Sequence, residues 1–371
     1  MDSPQTPCPG RYHSRQTKLP RPPSRGARTL PNPFRFNHSM RSRDPAKARL
    51  LVSARLDRHL HAALRRYLAR IPWAPLLPTR RGPWPAAEAL FMGAGEQRLP
   101  SDFPDAAPRL RFVQHLFAGL DGFPFERFNS RVRVAGNVGA YAVPVAEQAA
   151  LLILALSKNL LPNLRGLRRG RLRPVPQSED LSGRVALLLG YGHVARELGR
   201  RLRGFGMEIH GLSRSGGAKP GVARMFAARQ LSRAVSTADV VVECRPLTQL
   251  TRGSIDRRIL RAMRTDAIFV IAARAATVDE EALYAHLQSH PLFRAGTDVW
   301  WHEDLASGRL GQDRRFLRLP NFLGTPHSGG FSPAMELTTL ELAYALAAEN
   351  LARFFESTTP RHVVSRGEYT S

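Results

Sequence analysis

The chain has 371 residues, a formal net charge of +25 and two cysteines, and 43% of its residues are apolar and 23% charged. This length predicts about two domains, each large enough to bury a core. The composition excludes a collagen, a low-complexity polymer, a wholly disordered chain and a disulfide framework. The longest apolar run, residues 149–156, has eight residues, too few to span a bilayer, and predicts a core helix.

The excess of positive charge is the unusual feature of the composition. A net charge of +25 would fit a nucleic acid or another acidic surface as the partner. Only four of the 55 basic residues are lysines, however, and the arginines are spread along the whole chain without a nucleic-acid-binding motif. A GC-rich coding sequence would give this bias, so we do not predict a nucleic-acid partner.

Residues 1–45 differ from the rest of the chain. Up to Arg43 they hold nine basic residues, eight prolines and a single acid, Asp2, which predicts a disordered basic extension. The apolar segment of a secretory signal is missing. Two interpretations stay open: a loose resemblance to a transit peptide, and translation that begins at Met40, just before the first predicted strand. We favour the second and expect a cytoplasmic protein.

Short apolar strands alternate with helical patterns from residue 49 onward. In the first half, strands are predicted at 49–53, 89–92, 110–114 and 132–135, helices at 57–71 and 143–161, and a surface loop at 165–180. In the second half, strands are predicted at 183–189, 208–212, 239–243, 267–271 and 294–299, and helices at 195–205 and 333–355. This alternation predicts parallel sheets built of βαβ units.

A glycine-rich turn follows the strand at 183–189. Residues 190–195 read Gly-Tyr-Gly-His-Val-Ala, a G-x-G-x-x-A pattern between a strand and a helix. Gly190 permits the tight turn, Gly192 lets a pyrophosphate approach the backbone, and Ala195 lets the helix pack closely on the strand. The helix N-terminus offers N–H groups to phosphates. The segment predicts a dinucleotide site, and its alternative is a plain turn between strand and helix.

The end of the next strand indicates which dinucleotide binds. It reads Leu-Ser-Arg-Ser at 212–215 and lacks the carboxylate that holds the ribose 2′-hydroxyl of NAD. A guanidinium can pair with a 2′-phosphate, so Ser213 and Arg214 predict a preference for NADP over NAD. The alternative is that Arg214 is one more arginine of an arginine-rich chain.

Three residues with ionisable side chains could together catalyse a reaction. Arg274 follows a strand, Glu303 lies five residues after Asp298 at a strand end, and His327 lies in the glycine-flanked loop 324–330. A guanidinium can hold the carboxylate and carbonyl of a 2-keto acid, an imidazole can protonate the oxygen that develops negative charge, and a carboxylate can fix the imidazole tautomer. Each alone is commonly a surface or loop residue, but together they predict reduction of a 2-keto acid.

In this order, behind the glycine turn, the segments resemble the D-isomer-specific 2-hydroxyacid dehydrogenases, in particular those of the glyoxylate/hydroxypyruvate reductase type. Further matches lie at 145–148, 245–248, 251–253 and 363–366, and the resemblance covers about residues 48–368. It implies an α/β fold of two Rossmann-like or flavodoxin-like domains, with doubly wound parallel sheets and a cleft between them. The substrate domain would comprise residues 46–143 and 333–371, and the dinucleotide-binding domain residues 144–332.

The resemblance also implies roles for individual residues. Arg274, Glu303 and His327 would be catalytic, and a loop with Ala118 and Gly119 would hold the substrate carboxylate together with Arg274, although it could be an ordinary turn. The cofactor would contact Gly190, Gly192, His193, Val194, Ala195, Ser213, Arg214, Pro246, Ala273 and Asp298. The implied protein is a homodimeric NAD(P)-dependent oxidoreductase acting on a small 2-keto or D-2-hydroxy acid such as glyoxylate or hydroxypyruvate, with no metal and no membrane partner.

Some positions depart from the family pattern. Ile271 and Ala275 stand where the family usually has Asn and Gly around the arginine, and Asp304 stands where proline usually follows the glutamate. The pair Trp300-Trp301 would either narrow the substrate pocket or pack against a crossing helix. Glu303 argues against a formate dehydrogenase, whose family members have glutamine there. The rival interpretation is a nucleotide-sensing scaffold, similar to the C-terminal-binding-protein corepressors, with little turnover.

Overall fold

The computed structural model describes residues 42, 44–54, 56–93, 99–172, 178–304, 309–330 and 336–370. The predicted basic extension, residues 1–45, therefore lies outside the described residues except at 42, 44 and 45, and so does Met40.

Two parallel sheets organise the described chain. The first contains β1 (Leu50–Ser53), β2 (Trp73–Pro75), β3 (Ala89–Met92), β4 (Phe112–His115) and β5 (Arg133–Ala135), in the order β2-β1-β3-β4-β5. The second contains β6 (Val185–Leu189), β7 (Glu208–Ser213), β8 (Arg224–Ala227), β9 (Val240–Glu243), β10 (Ile268–Ile271), β11 (Arg294–Thr297) and β14 (Phe322–Gly324), in the order β14-β11-β10-β9-β6-β7-β8. A separate antiparallel pair joins β12 (Glu303–Asp304) to β13 (Arg309–Leu310). The predicted α/β class with parallel sheets is confirmed.

The helices of the described chain connect these strands. They are α1 (Arg58–Tyr67), α2 (Ala142–Ser157), α3 (Leu160–Arg168), α4 (His193–Gly204), α5 (Leu231–Val235), α6 (Arg257–Ala262), α7 (Glu280–Ser289) and α8 (Glu336–Phe355). Although α8 follows the second sheet in the chain, its residues Ala343, Tyr344 and Leu351 pack into the core of the first sheet. Val363 then bridges Ala135 of β5. The end of the chain thus returns to the first sheet.

The helix predicted over 143–161 is two helices, and the loop predicted from 165 begins too early. α2 ends at Ser157, Asn159 adopts a left-handed φ of +47°, and α3 runs through Pro162 to Arg168. Proline is accepted in the first turn of a helix because the N–H that it lacks has no helical partner there. Among the described helices none is alone long and apolar enough to cross a membrane; α2 and α3, bent by 58°, pass that test only as a pair.

The two faces of the second sheet pack against two different apolar clusters. Leu187, Val241 and Phe269 pack into one apolar cluster, while Leu188, Val242 and Val270 pack with α2 and α4 into another. Strands that are buried on both faces read as continuous apolar runs, which is why β6, β9 and β10 could be predicted from the sequence. The carboxyl ends of these strands carry the polar residues described next.

Candidate active site

Apart from Ala118 and Gly119, which follow β4 of the first sheet, most residues predicted as functional lie at or just beyond the carboxyl ends of strands of the second sheet. The turn 190–192 follows β6, Arg274 follows β10, Asp298 follows β11, and His327 follows β14. Since β6, β9, β10, β11 and β14 are neighbours in one parallel sheet, their carboxyl ends share one edge. Ligands of open α/β sheets bind at this edge, and the structure therefore brings these residues to the same side of the sheet.

His327 is held by Glu303. Its Nδ1–H donates to Glu303 Oε2 over 2.8 Å, and both side chains are about four-fifths buried. The second oxygen of Glu303 accepts the backbone N–H of Trp300. His327 itself adopts a left-handed φ of +52°, a conformation that costs free energy in a residue other than glycine and persists only where the surroundings impose it. The orientation of the imidazole ring is thus fixed both by its hydrogen bond to Glu303 and by the backbone conformation of His327.

The backbone around His327 is organised by Asp298. One carboxylate oxygen accepts the Thr325 hydroxyl at 2.5 Å and the Ser328 N–H at 2.9 Å, and the other accepts the Gly329 N–H at 2.7 Å. Asp298 is buried. The resemblance implies that this residue contacts the cofactor; in the structure its carboxylate binds the backbone and a hydroxyl of the histidine loop.

Arg274 reaches from the second sheet to a loop that follows the first. Its Nε–H donates to both oxygens of Asp121, at 3.1 and 3.2 Å, and its Nη1 donates to the carbonyl of Ala273 at 3.0 Å. A Cβ atom built on Gly119 would collide with Nη2 of Arg274. Glycine at 119 therefore lets the guanidinium lie directly against the Ala118–Gly119 loop, which the resemblance implies would hold the substrate carboxylate.

Three further residues near this loop were missed as site residues. Asp121 is the hydrogen-bond partner of Arg274. The sequence signal that could have identified it is an acidic residue two positions after Gly119. Burial lowers the pKa of His115, which also experiences the charges of Asp121 and Arg274. Tyr141 contacts Phe117, and burial raises the pKa of its phenol to about 12. No local sequence pattern identifies His115 and Tyr141 as site residues, because their positions depend on how β4 and α2 pack.

The glycine turn after β6 fits a dinucleotide. Gly190 has a φ of +84°, and a Cβ there would lie 2.7 Å from Cγ of Arg245, so only glycine is accommodated. Gly192 caps α4, and among the described residues no side chain occupies this cap. Ala195 is fully buried where α4 packs on the sheet. The helix end is thereby left open to a phosphate group.

A buried ion pair that no local sequence pattern predicts supports this turn. Glu243, at the end of β9, is fully buried, and its carboxylate accepts the backbone N–H of Arg245 at 2.7 Å and its Nε–H at 3.0 Å. Arg245 also donates to the Ser254 hydroxyl at 3.0 Å. Burying a charge is costly unless it is paired and hydrogen-bonded, and both conditions hold for Glu243. The pair places Arg245 against Gly190.

The other predicted cofactor residues have the following surroundings. The His193 ring lies edge-on to that of His362, with 5.7 Å between centroids, and burial, then Arg196, lowers the His193 pKa. Val194 is half-buried, and Pro246 is exposed in a turn closed by the Thr251 hydroxyl, which donates to the Pro246 carbonyl at 2.6 Å. The Ser213 hydroxyl accepts the Gly216 N–H at 3.1 Å.

Arg214 lies at the end of β7 and is 81% exposed. Its Nη2 donates to Oε2 of Glu368 over 2.8 Å. Glu368 belongs to the chain's C-terminal segment, and no short-range pattern connects it with β7. A carboxylate therefore does lie beside the carboxyl end of β7, although residues 212–215 at that end include none.

Comparison with known proteins decides the family. The model of the D-isomer specific 2-hydroxyacid dehydrogenase NAD binding domain matches residues 150–329. Glyoxylate reductase of Thermococcus kodakarensis is 30% identical over 281 residues, 73% of this chain and 81% of that protein. The chain belongs to the D-isomer-specific 2-hydroxyacid dehydrogenases. Hydroxypyruvate reductase of Thermotoga maritima is 29% identical over 234 residues, 62% of this chain and 74% of that protein.

Solved structures of the family show the same fold. A D-isomer specific 2-hydroxyacid dehydrogenase from Xanthobacter autotrophicus, solved with NADPH and MES, superposes with a TM-score of 0.71 and 22% identity over 86% of this chain and 98% of that one. The predictions of the family, of the two-sheet α/β fold and of an NAD(P)-dependent 2-hydroxyacid dehydrogenase are thus confirmed.

The two tryptophans of this dehydrogenase pack beside the second sheet. Trp300 is buried and its indole N–H donates to the Thr325 carbonyl at 2.9 Å. Trp301 stacks on Phe316 with 5.1 Å between centroids and donates to the Val278 carbonyl at 2.8 Å. Both rings therefore join the core of the second sheet, since each indole finds a hydrogen-bond partner inside it.

One group of side chains in the described part of the dehydrogenase has the composition of a metal site. Ligand atoms of Glu280, His302 and Asp313 lie within 4.8 Å of one another. Arg315 donates to Glu280 at 2.7 Å, and Nε2 of His302 lies 2.9 Å from the same carboxylate. Because a guanidinium already neutralises Glu280, we assign no metal to this group.

Proposed function

We propose that this dehydrogenase uses NADPH to reduce a small 2-keto acid, glyoxylate or hydroxypyruvate, to the D-2-hydroxy acid. The observation that carries the proposal is the placement of Arg274 against the Ala118–Gly119 loop while the His327–Glu303 pair lies at the same edge of the sheet. One anion-binding group and one proton-donating group are what this reduction requires. The relatives named above are reductases of such acids, which gives the scaffold interpretation no support.

Substrate binding is assigned to Arg274 and the adjacent loop. Asp121 and Ala273 take the Nε and Nη1 hydrogens of Arg274, and the Nη2 edge faces Gly119. A substrate carboxylate would bind between this edge and the backbone N–H groups of Ala118 and Gly119. Phe117 and Tyr141 would form an apolar wall beside the loop.

The cofactor would be held by the glycine turn and the residues around it. The backbone at Gly190, Gly192, His193, Val194 and Ala195 would contact the pyrophosphate at the open end of α4. Ser213 and Arg214 would bind the 2′-phosphate, and Pro246, Ala273 and Asp298 would line the remainder. When bound, the reduced nicotinamide supplies a hydride to the keto carbon.

His327 would complete the reduction by protonation. As hydride reaches the keto carbon, the carbonyl oxygen gains negative charge and takes a proton from Nε2 of the protonated imidazole. Glu303, bonded to Nδ1 at 2.8 Å, stabilises the imidazolium before transfer and keeps the ring orientated afterwards. Arg274 stabilises the same developing oxygen charge electrostatically.

The assembly and the domain limits are further parts of the proposal. Leu151, Leu160, Leu164 and Leu167 on α2 and α3 are between 38 and 57% exposed. Apolar side chains exposed together mark protein interfaces, and this surface supports a homodimer built on the nucleotide-binding domains. We retain the domain limits at 143/144 and 332/333 and the cytoplasmic location as predictions.

The test is turnover of the purified chain. NADPH oxidation is followed at 340 nm with glyoxylate, hydroxypyruvate and longer 2-keto acids, and the product's chirality is determined. We expect R274Q to lower kcat/KM about 100-fold, because a charge-assisted hydrogen bond to the substrate carboxylate contributes about 2–3 kcal/mol. R109Q, which removes an exposed arginine before β4, is the control and should match the wild type. Cofactor binding with background turnover on every keto acid would instead support the scaffold interpretation.

A further inference from the structure

The C-terminal segment after α8 is anchored to the first sheet. Val364 N–H donates to the Val134 carbonyl at 2.9 Å. The guanidinium of Arg366 then donates to the carbonyls of Phe125 and Phe128, at 2.5 and 2.7 Å. Tyr369 stacks on the Phe125 ring with 5.6 Å between centroids. These contacts secure the segment on both sides of Glu368.

Glu368 reaches from this anchored segment to the nucleotide-binding side. Its carbonyl accepts the N–H of Gln249, in the turn after β9, at 3.0 Å. Its carboxylate accepts Nη2 of Arg214, after β7, at 2.8 Å. Arg214 is 81% exposed, whereas the Glu368 side chain is only 25% exposed. The carboxylate is thus the better-fixed member of the pair.

The same segment borders the site assigned to the keto acid. Burial raises the pKa of Tyr369, and the charges of Glu368 and Asp121 raise it further, while Arg214 and Arg274 oppose this. The phenol therefore lies within electrostatic range of both the substrate arginine and the arginine assigned to the 2′-phosphate. Residues 366–369 thus interact with Arg214 and lie close enough to Arg274 for its charge to act on Tyr369.

We propose that Glu368 is a nucleotide-specificity residue that opposes Arg214. This inference rests on the proposed function, in which Arg214 binds the 2′-phosphate of NADPH. A phosphate beside Arg214 meets the Glu368 carboxylate, and two anions at one guanidinium repel each other. A ribose 2′-hydroxyl can instead donate a hydrogen bond to that carboxylate. The C-terminal segment thus supplies the acid that the end of β7 lacks, and this moderates the preference for NADPH.

The isosteric substitution E368Q separates this role from an architectural one. Glutamine keeps the size of the side chain and the backbone bond to Gln249, and Arg366 and Tyr369 still anchor the segment. Only the negative charge is removed. E356Q removes an equal charge from the exposed residue that follows α8 and serves as the matched control.

The experiment measures dissociation constants of the full chain by calorimetry and by nicotinamide fluorescence. NADPH is compared with NADH, and adenosine 2′,5′-bisphosphate with AMP, so that no turnover is needed. We expect E368Q to raise the NADPH-to-NADH affinity ratio about tenfold, with NADPH bound about fivefold more tightly, and to tighten adenosine 2′,5′-bisphosphate but not AMP. R214Q should lower the ratio about tenfold, and E356Q should leave it unchanged.

Other outcomes overturn the inference in distinguishable ways. If the wild type binds both dinucleotides and E368Q leaves the ratio within twofold or lowers it, Glu368 does not oppose the phosphate, and the proposed function stands. If R214Q leaves the ratio unchanged, the 2′-phosphate binds elsewhere and the inference fails with that assignment. If the wild type binds neither dinucleotide, the proposed function fails as well.

Discussion

The two ends of the proposed site hold their charged groups in different ways. At the end assigned to catalysis, Asp298 accepts three hydrogen bonds within 2.9 Å, and Glu303 bonds both His327 and a backbone N–H. At the end assigned to the 2′-phosphate, Arg214 makes one bond to Glu368 and is 81% exposed. One end is a buried network, and the other is a single surface ion pair.

The difference follows what each end is proposed to do. Proton transfer depends on a ring held within a few tenths of an ångström, and a misplacement of about 1 Å can cost 100-fold in rate. An exposed ion pair contributes only about 0–1 kcal/mol, so Arg214 can leave Glu368 for a phosphate at little cost. Substitutions in the network should therefore change the rate of reaction, and substitutions in the surface pair should change which nucleotide binds.

The largest effect is expected from His327. H327N removes the proton donor and should lower kcat about 10²- to 10⁴-fold, the usual contribution of general acid catalysis. NADPH affinity should change less than twofold, because the loss lies in the chemical step. Stopped-flow turnover and fluorescence titration measure the two quantities. A variant that retains a tenth of the wild-type kcat would show that the proton comes from another group.

Asp298 tests whether the network positions the ring. D298N converts one of the two acceptor oxygens into an NH2 group, which would face the N–H of either Ser328 or Gly329, so the loop must shift. We expect kcat to fall about 10- to 100-fold. D279N changes the cap of α7 away from the loop, and asparagine caps a helix about as well as aspartate; it should keep wild-type kcat. Equal losses in the two variants would mean that D298N acts through general destabilisation.

The sequence alone was sufficient to predict the candidate functional residues that lie just after a strand. The turn 190–195 comes next to β6, Arg274 stands three residues after β10, and His327 three residues after β14, so local patterns were sufficient to select them. Short strands were missed: β2 contains proline, and β8 has arginine at its first position. Strands of similar length that were predicted, such as β3 and β10, are continuous apolar runs, which is a stronger signal.

The partners of the predicted residues could not be selected in this way. Asp121 is 153 residues from Arg274, and Glu368 is 154 residues from Arg214. Whether such residues meet depends on how the C-terminal segment and the first sheet pack against the second. The break in the predicted helix 143–161 lies at Asn159. The nearby proline does not predict the left-handed backbone conformation of this residue. These ion pairs between residues distant in sequence could therefore be identified only from the folded structure.

The Asp121–Arg274 pair is intermediate between the two ends and gives the smallest expected effect. Its side chains are 26 and 36% exposed, and only the Nε–H of Arg274 is bound by the carboxylate. D121N keeps one acceptor but loses the charge that orientates the guanidinium. We expect KM for the keto acid to rise about two- to fivefold, equivalent to about 0.5–1 kcal/mol, with kcat unchanged. D121E should recover part of the loss, because orientation needs the charge. A lower KM in D121N would instead mean that Asp121 repels the substrate carboxylate, and the pair would then resemble Glu368 and Arg214 more than the network around His327.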